Sequence, residues 1–273
     1  MAKLSQPEFD EGLEKLAAEL NTLESPEIEM AILQVPIDED RRIGSEKSPM
    51  ELIKYFAKRL LAVIDDIPFT DHEKGRIYHA AGKYGEAEHF YKEAFEKDSN
   101  LYRNLGELYV EMEIPAKAAQ HYEEAIEKGV REAHYYLGRI CLARREYNYA
   151  IRCFFHTIGQ DIDEGYFGLG ETYAKLYCLK KDDESVFKDA VENLKEAERL
   201  KVKGAAFVLG KLYYERVIDL IHSQEGDVKA SMNPTEFVTL AQKYFIKAVA
   251  EGSSEANIFL NILSWYSEPA EMK

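Results

Sequence analysis

The stretch LYRNLGELYVEMEIPAKAAQHYEEAIEKG, residues 101–129, decides how this chain folds. Tyr109 follows Gly106 by three positions. Ala118 follows it by twelve, and Tyr122 and Ala125 come four and then three positions later. Residues three and four apart share one face of a helix. Two such faces, with Pro115 at the start of the second, predict a helical hairpin. Its small residues let the two helices approach closely, and a ring from the facing turn fills the space that remains.

The same arrangement recurs on both sides. Lys74-Gly75, Leu105-Gly106, Leu137-Gly138, Leu169-Gly170 and Leu209-Gly210 fall at intervals of 31, 32, 32 and 40. Tyr78, Tyr109, Cys141, Tyr173 and Tyr213 each stand one helical turn later. The second helices carry Ala87, Tyr91 and Ala94, and then Ala150, Phe154 and Thr157, in the register of Ala118, Tyr122 and Ala125. A period of this size marks an array of stacked supersecondary units.

Two units exceed the period. The spacing from the tyrosine to the second-helix alanine is nine in the first two units. It grows to seventeen from Tyr173 to Ala190 and to twenty-eight from Tyr213 to Ala241. The insertions, eight and nineteen long, therefore lie within a hairpin, and the simplest account is that both helices lengthen. Leu212, Val217, Leu220 and Ile221 continue an apolar face past Tyr213. Asn233-Pro234-Thr235-Glu236 then reads as a cap with Pro at the first helical position. Gln224, Glu225, Gly226 and Asp227 between them are expected to be exposed. Insertions of this kind map to one rim of an array, either as functional loops or as plain surface elaboration. Residues 255–265 predict one last first-type helix, with Asn261 in the glycine position, that caps the array.

With Gly75, Tyr78, Ala87, Tyr91 and Ala94, and Gly106, Tyr109, Ala118, Tyr122 and Ala125, the chain resembles the tetratricopeptide repeat family. Its later repeats resemble the Sel-type variant, through Ala-x-x-x-Leu-Gly at residues 133–138 and 205–210 and Lys247-Ala248 followed by Gly252. The resemblance covers residues 68–263. It implies an all-α fold, an α–α superhelix (a right-handed solenoid of helix pairs) with a helical N-terminal cap. The organisation expected is a cap or docking segment over residues 1–67, about five repeats plus a capping helix over 68–266, and a disordered tail over 267–273.

Residues 1–67 do not repeat. Phe9, Leu13, Leu16, Leu20 and Leu23 form one helical stripe, and Leu52, Phe56, Leu60, Val63 and Ile67 form another behind the start signal Ser48-Pro49-Met50-Glu51. A short helix over residues 26–34 and a charged loop over 35–47 are expected between them. The first stripe is heptad-like but runs barely past two heptads, so capping and dimerisation both fit it.

Composition narrows the function classes. Lys and Arg number 35 against 50 Asp and Glu, a net charge of −15. That field repels nucleic acid and anionic headgroups, and it suits basic partners or plain solubility. No apolar run is long enough to span a bilayer, and the N-terminus lacks the pattern of a secretory signal. Three unpatterned cysteines, Cys141, Cys153 and Cys178, suggest reduced thiols and a cytoplasmic setting, with signal-less secretion as the other option. No cofactor, metal or catalytic residue is expected. There is no glycine-rich phosphate loop, His-Glu-x-x-His or nucleophile elbow, and Cys153 with His156 has no second ligand pair.

The resemblance implies where binding occurs. In this family the fifth and ninth positions of each first helix line a concave groove. Here the fifth positions are His72, Arg103, Tyr135, Phe167, Phe207 and, in the cap, Ile258. The ninth are Arg76, Glu107, Arg139, Glu171, Lys211 and Ile262. Tyr214 stands two turns beyond Phe207. The expectation is a groove that is cationic at its N-terminal end and aromatic further along. It would grip a protein or peptide partner through apolar anchors and pair Arg76, Arg103 and Arg139 with acidic groups. Packing of these rings on a neighbouring helix is the rival explanation. Of the positions by which some family members clamp a partner's terminal carboxylate, only Asn104 matches. The function expected is a scaffold or adaptor. A secretion-type chaperone or peptide-responsive regulator is the alternative, followed by an enzyme built on the insertions around His222.

Overall fold

Helix boundaries follow local capping chemistry. The Thr70 backbone N–H donates to Glu73 Oε2 at 2.7 Å while the Thr70 hydroxyl accepts from the Glu73 N–H, a closed capping box. Asp183 caps another helix by accepting from the N–H groups of Ser185 and Val186. Pro115 and Pro234 occupy first helical positions. The structure, a computed structural model, describes residues 54, 57–58, 60–62, 64–65, 68–180, 183–223 and 234–267. These described residues form eleven helices, one short 3-10 turn and no strand, so the fold is all-α as expected.

The chain divides into two units, Met1–Val130 and Arg131–Lys273. The first holds α1 (Asp71–Ala80), α2 (Tyr84–Lys97), a 3-10 turn (Ser99–Leu101), α3 (Tyr102–Glu111) and α4 (Pro115–Glu127). Consecutive helices pack as hairpins, α1 on α2 and α3 on α4. The second unit holds α5 (Ala133–Ala143), α6 (Tyr147–Ile158), α7 (Glu164–Leu179), α8 (Glu184–Arg199), α9 (Ala205–Ser223), α10 (Pro234–Ala250) and α11 (Ala256–Ser267). Each of these packs on the next, and the first-type helices α5, α7 and α9 also touch in sequence order.

The small-residue positions do what their spacing predicts. A Cβ on Gly138 would lie 2.8 Å from the Phe154 ring, and one on Gly210 would lie 2.7 Å from the Phe245 ring. Gly75 faces Tyr91 and Gly106 faces Tyr122 in the same way. In the first three repeats the partner stands sixteen positions after the glycine. In the lengthened hairpins it stands much further on, at Leu194 opposite Gly170 and at Phe245 opposite Gly210. The described parts of the insertions are helix. First-type helices of 10 or 11 residues become 16 in α7 and 19 in α9, and second-type helices of 12 to 14 become 16 in α8 and 17 in α10.

The turns repeat as well. Seven positions after the glycines of the first three repeats, Gly82, Glu113 and Arg145 adopt positive φ. The next N–H reaches back to close the helix, as in Lys83 to the Tyr78 carbonyl and Glu146 to the Cys141 carbonyl. The second helices end likewise at Gly129, Asp161, Lys201 and Gly252.

Most of the segment expected as a cap or docking element over residues 1–67, including the whole first stripe, the charged loop and Leu52, Phe56, Val63 and Ile67 of the second stripe, lies outside the described residues. Within that segment Ala57, Leu60 and Ile64 are buried at helical spacing. A helix, α11, stands where the last first-type helix was expected. Ser267, expected in the tail, closes that helix instead, and residues 268–273 lie outside the described set.

Candidate functional site

In the first unit the fifth and ninth positions are engaged with one another. The His72 Nε2 donates to Asn104 Oδ1 at 3.0 Å, and Asn104 also hydrogen-bonds the buried Tyr91 hydroxyl. The residue that matched the carboxylate clamp therefore ties two repeats together. Arg103 pairs with Glu107 one turn along α3 at 2.6 Å, and Arg76 lies close enough to Tyr91 to influence its hydroxyl. Of the cations expected at this end, Arg103 is thus matched along its own helix by the acidic ninth position of the second repeat.

Near this face His79 bridges the Tyr91 hydroxyl at 3.3 Å and Glu111 at 2.6 Å, while the Tyr84 hydroxyl donates to Glu111 at 2.9 Å. Those two hydrogen bonds hold the Glu111 carboxyl below the usual range against the opposing effect of burial.

In the second unit the same positions pack on neighbouring helices. Tyr135 on α5 is half-buried against Tyr136 and Phe154, with ring centroids at 5.3 and 6.1 Å, and burial pushes its hydroxyl pKa up. One turn on, Arg139 pairs with Glu171 of α7 at 2.5 Å, so the second expected cation is also matched internally. Phe167 on α7 is half-buried, with its ring edge against Gly204. Phe207 on α9 meets Phe245 and Phe259 at 6.0 Å each, and Tyr214 meets Phe259 at 5.3 Å. Lys211 lies over Phe207 and Phe259 at 5.6 and 5.9 Å. On α11 Ile258 and Ile262 stay 60% and 37% exposed.

These rings lie between the two alternatives posed by the sequence. They pack on neighbouring helices along one edge and keep the other edge open. Phe259 is the member that sequence reasoning missed. It lies one residue past the fifth position, yet its ring stacks on Phe245 at 4.8 Å and braces both Phe207 and Tyr214. The available signal was its place directly beside the fifth-position Ile258.

The insertions hold a second cluster, not anticipated from sequence. Arg216 of α9 is 13% exposed. It donates to the Tyr177 hydroxyl at 2.9 Å and to Glu184 at 2.5 Å, and it lies over the rings of Tyr177, Phe187 and Phe237. The Tyr177 hydroxyl in turn donates to Asp219 at 3.2 Å, and burial pushes its pKa up to about 12. The guanidinium ties α7, α8, α9 and α10 together where they extend past the ordinary repeat. The side chain of His222, named for the enzyme alternative, lies outside the described residues.

Among the described residues no group of three or more His, Cys, Asp or Glu is placed to hold a metal ion. No described helix is long and apolar enough to cross a membrane.

No family model and no curated protein matches the chain. Solved structures do. The C-terminal part of a TPR repeat-containing protein from Cytophaga hutchinsonii superimposes with a TM-score of 0.52 at 15% identity, covering 92% of each chain. The chain has the tetratricopeptide-repeat fold. MamA is a looser match, with a TM-score of 0.47 at 19% identity over 67% of this chain and 96% of its own.

Proposed function

We propose that this chain is a protein-interaction scaffold whose second unit holds a partner's peptide or helix along its first-helix face. The supporting observation is the row Tyr135, Phe167, Phe207, Tyr214 and Ile258, whose side chains touch neighbours yet leave apolar surface open at successive repeats. Aromatic side chains half-set into a surface carry much of the affinity of protein interfaces. The Sel-type character of the later repeats belongs to the same reading. The cytoplasmic setting is proposed from Cys141, Cys153 and Cys178, which form no disulfide among the described residues.

The test is selection of binders from a randomised peptide library, followed by calorimetry with the best binder on wild type and the Tyr135→Ala, Phe207→Ala double variant. The expected result is unchanged helicity and at least a tenfold loss of affinity, or about 1.4 kcal/mol. Equal affinity in a folded variant rejects the face.

A further inference from the structure

The charges along this face are unequal in one respect. Arg139 and Glu171 neutralise each other, and Glu171 also takes Lys175 at 3.3 Å. Lys211, the next cation in the row, is exposed, and no carboxylate among the described residues lies within ion-pair distance of it. Glu215, one turn along the same helix, is not paired with it. The Lys211 ammonium instead stands over the rings of Phe207 and Phe259. Attraction to the negative ring faces holds a cation at the border of an apolar patch rather than out in solvent. Ile258 and Ile262, presented by the neighbouring helix, are the open part of that patch.

We infer that this end of the face selects a peptide segment in which a carboxylate stands beside an aliphatic side chain. The inference rests on the proposed peptide-binding function and names the chemistry it reads. The carboxylate meets Lys211, and the aliphatic group rests on Ile258 and Ile262. One ammonium matches one carboxylate, whereas a phosphate monoester brings nearly two charges and calls for a cluster of cations. This subsite belongs to the fifth repeat and the terminal helix of the second unit, whereas Asn104 belongs to the first unit and is engaged by His72 and Tyr91.

The experiment is a positional-scanning array of decapeptides, synthesised with free and with amidated C-termini. It is probed with wild type, Lys211→Glu, Lys211→Met and Phe207→Ala. Wild type is expected to retain peptides with Asp or Glu adjacent to Leu, Ile or Met. Lys211→Glu should shift that position to Lys or Arg and weaken the best acidic peptide at least tenfold. Lys211→Met should lose the acidic preference and keep the aliphatic one. Acid preference that survives amidation assigns the carboxylate to a side chain, and loss on amidation assigns it to the peptide terminus. If binding depends on Phe207 but the acidic preference persists in Lys211→Glu, the inference fails and the scaffold reading stands. If no peptide is retained, or Phe207→Ala changes nothing, both fail. Melting curves of the Lys211 variants should match wild type, because the side chain is exposed.

Discussion

The ring of Phe154 is wedged between two glycines, Gly138 of its own hairpin and Gly168 of the next first-type helix. One side chain thus fixes both the closure of a hairpin and its stacking on the following one. A methyl group at either glycine would enter the space the ring occupies.

The first prediction is a contrast in sign. Alanine is the better helix former by about 1 kcal/mol. Gly85→Ala on α2, where nothing lies within 4 Å of the new Cβ, should therefore stabilise the chain by up to that amount. Gly138→Leu should instead cost about 1–3 kcal/mol through overpacking against Phe154. Urea unfolding followed by circular dichroism separates the two, and a stabilised Gly138→Leu contradicts the packing described.

The turns supply the second. Arg145 is exposed and held at φ 62°, a conformation that costs an ordinary residue about 1–2 kcal/mol. Glycine removes that cost but forfeits about 0.5–1 kcal/mol of chain entropy. Arg145→Gly should raise Tm by a few degrees, and Gly82→Ala at φ 76° should lower it. Thermal melts of both variants decide the matter.

His121 carries a pH prediction. It is 5% exposed, packs on Phe95 at 4.5 Å, and donates its Nε2 proton to the Tyr102 carbonyl at 2.9 Å. Burial holds its pKa below the usual histidine value. A depressed histidine favours the neutral form in the fold, so its contribution is complete above about pH 6.5 and fades as pH falls through the folded value. Stability should decline on acidification below pH 6.5, ahead of the carboxylates Glu88 and Glu111, whose lowered values place their losses below about pH 4.5. Chemical denaturation from pH 7.5 to 5 on wild type and His121→Phe should show the slope in the first and its loss in the second.

Arg216 is the fourth test. Truncation to alanine removes a charge-assisted bond to Glu184 and the bond to Tyr177, and it opens space beside three rings. The expected loss is about 2 kcal/mol, since Glu184 is largely exposed and screened by solvent. Arg216→Met, which keeps the stem packed, should lose less. Equal losses in equilibrium unfolding would show that the polar bonds alone account for the residue, with nothing owed to its packing.

Much of the hairpin architecture was legible because it depends on size and spacing. Gly106 and Tyr122 meet through the one property a sequence states outright, the volume of each residue. The helical form of the insertions was legible from the apolar face running past Tyr213. The turn at Arg145 was not, since nothing in arginine announces a left-handed backbone. The pairing of Arg103 with Glu107 could have been read from their spacing of four, and that of Arg139 with Glu171 from their matching positions one repeat apart. The Arg216 cluster joins residues brought together only when helices of unequal length lie side by side, a quantity that no local pattern encodes.

The lengthened hairpins have a consequence for how such a molecule can change. Gly170 still meets its partner at Leu194, and Gly210 meets its own at Phe245, although each lies well beyond the ordinary separation of Gly138 from Phe154. The contact that closes each hairpin thus keeps its place while both of its helices lengthen beyond it. Natural variation or a protein engineer can add turns to the two helices of a hairpin and acquire a new edge without renegotiating the interior.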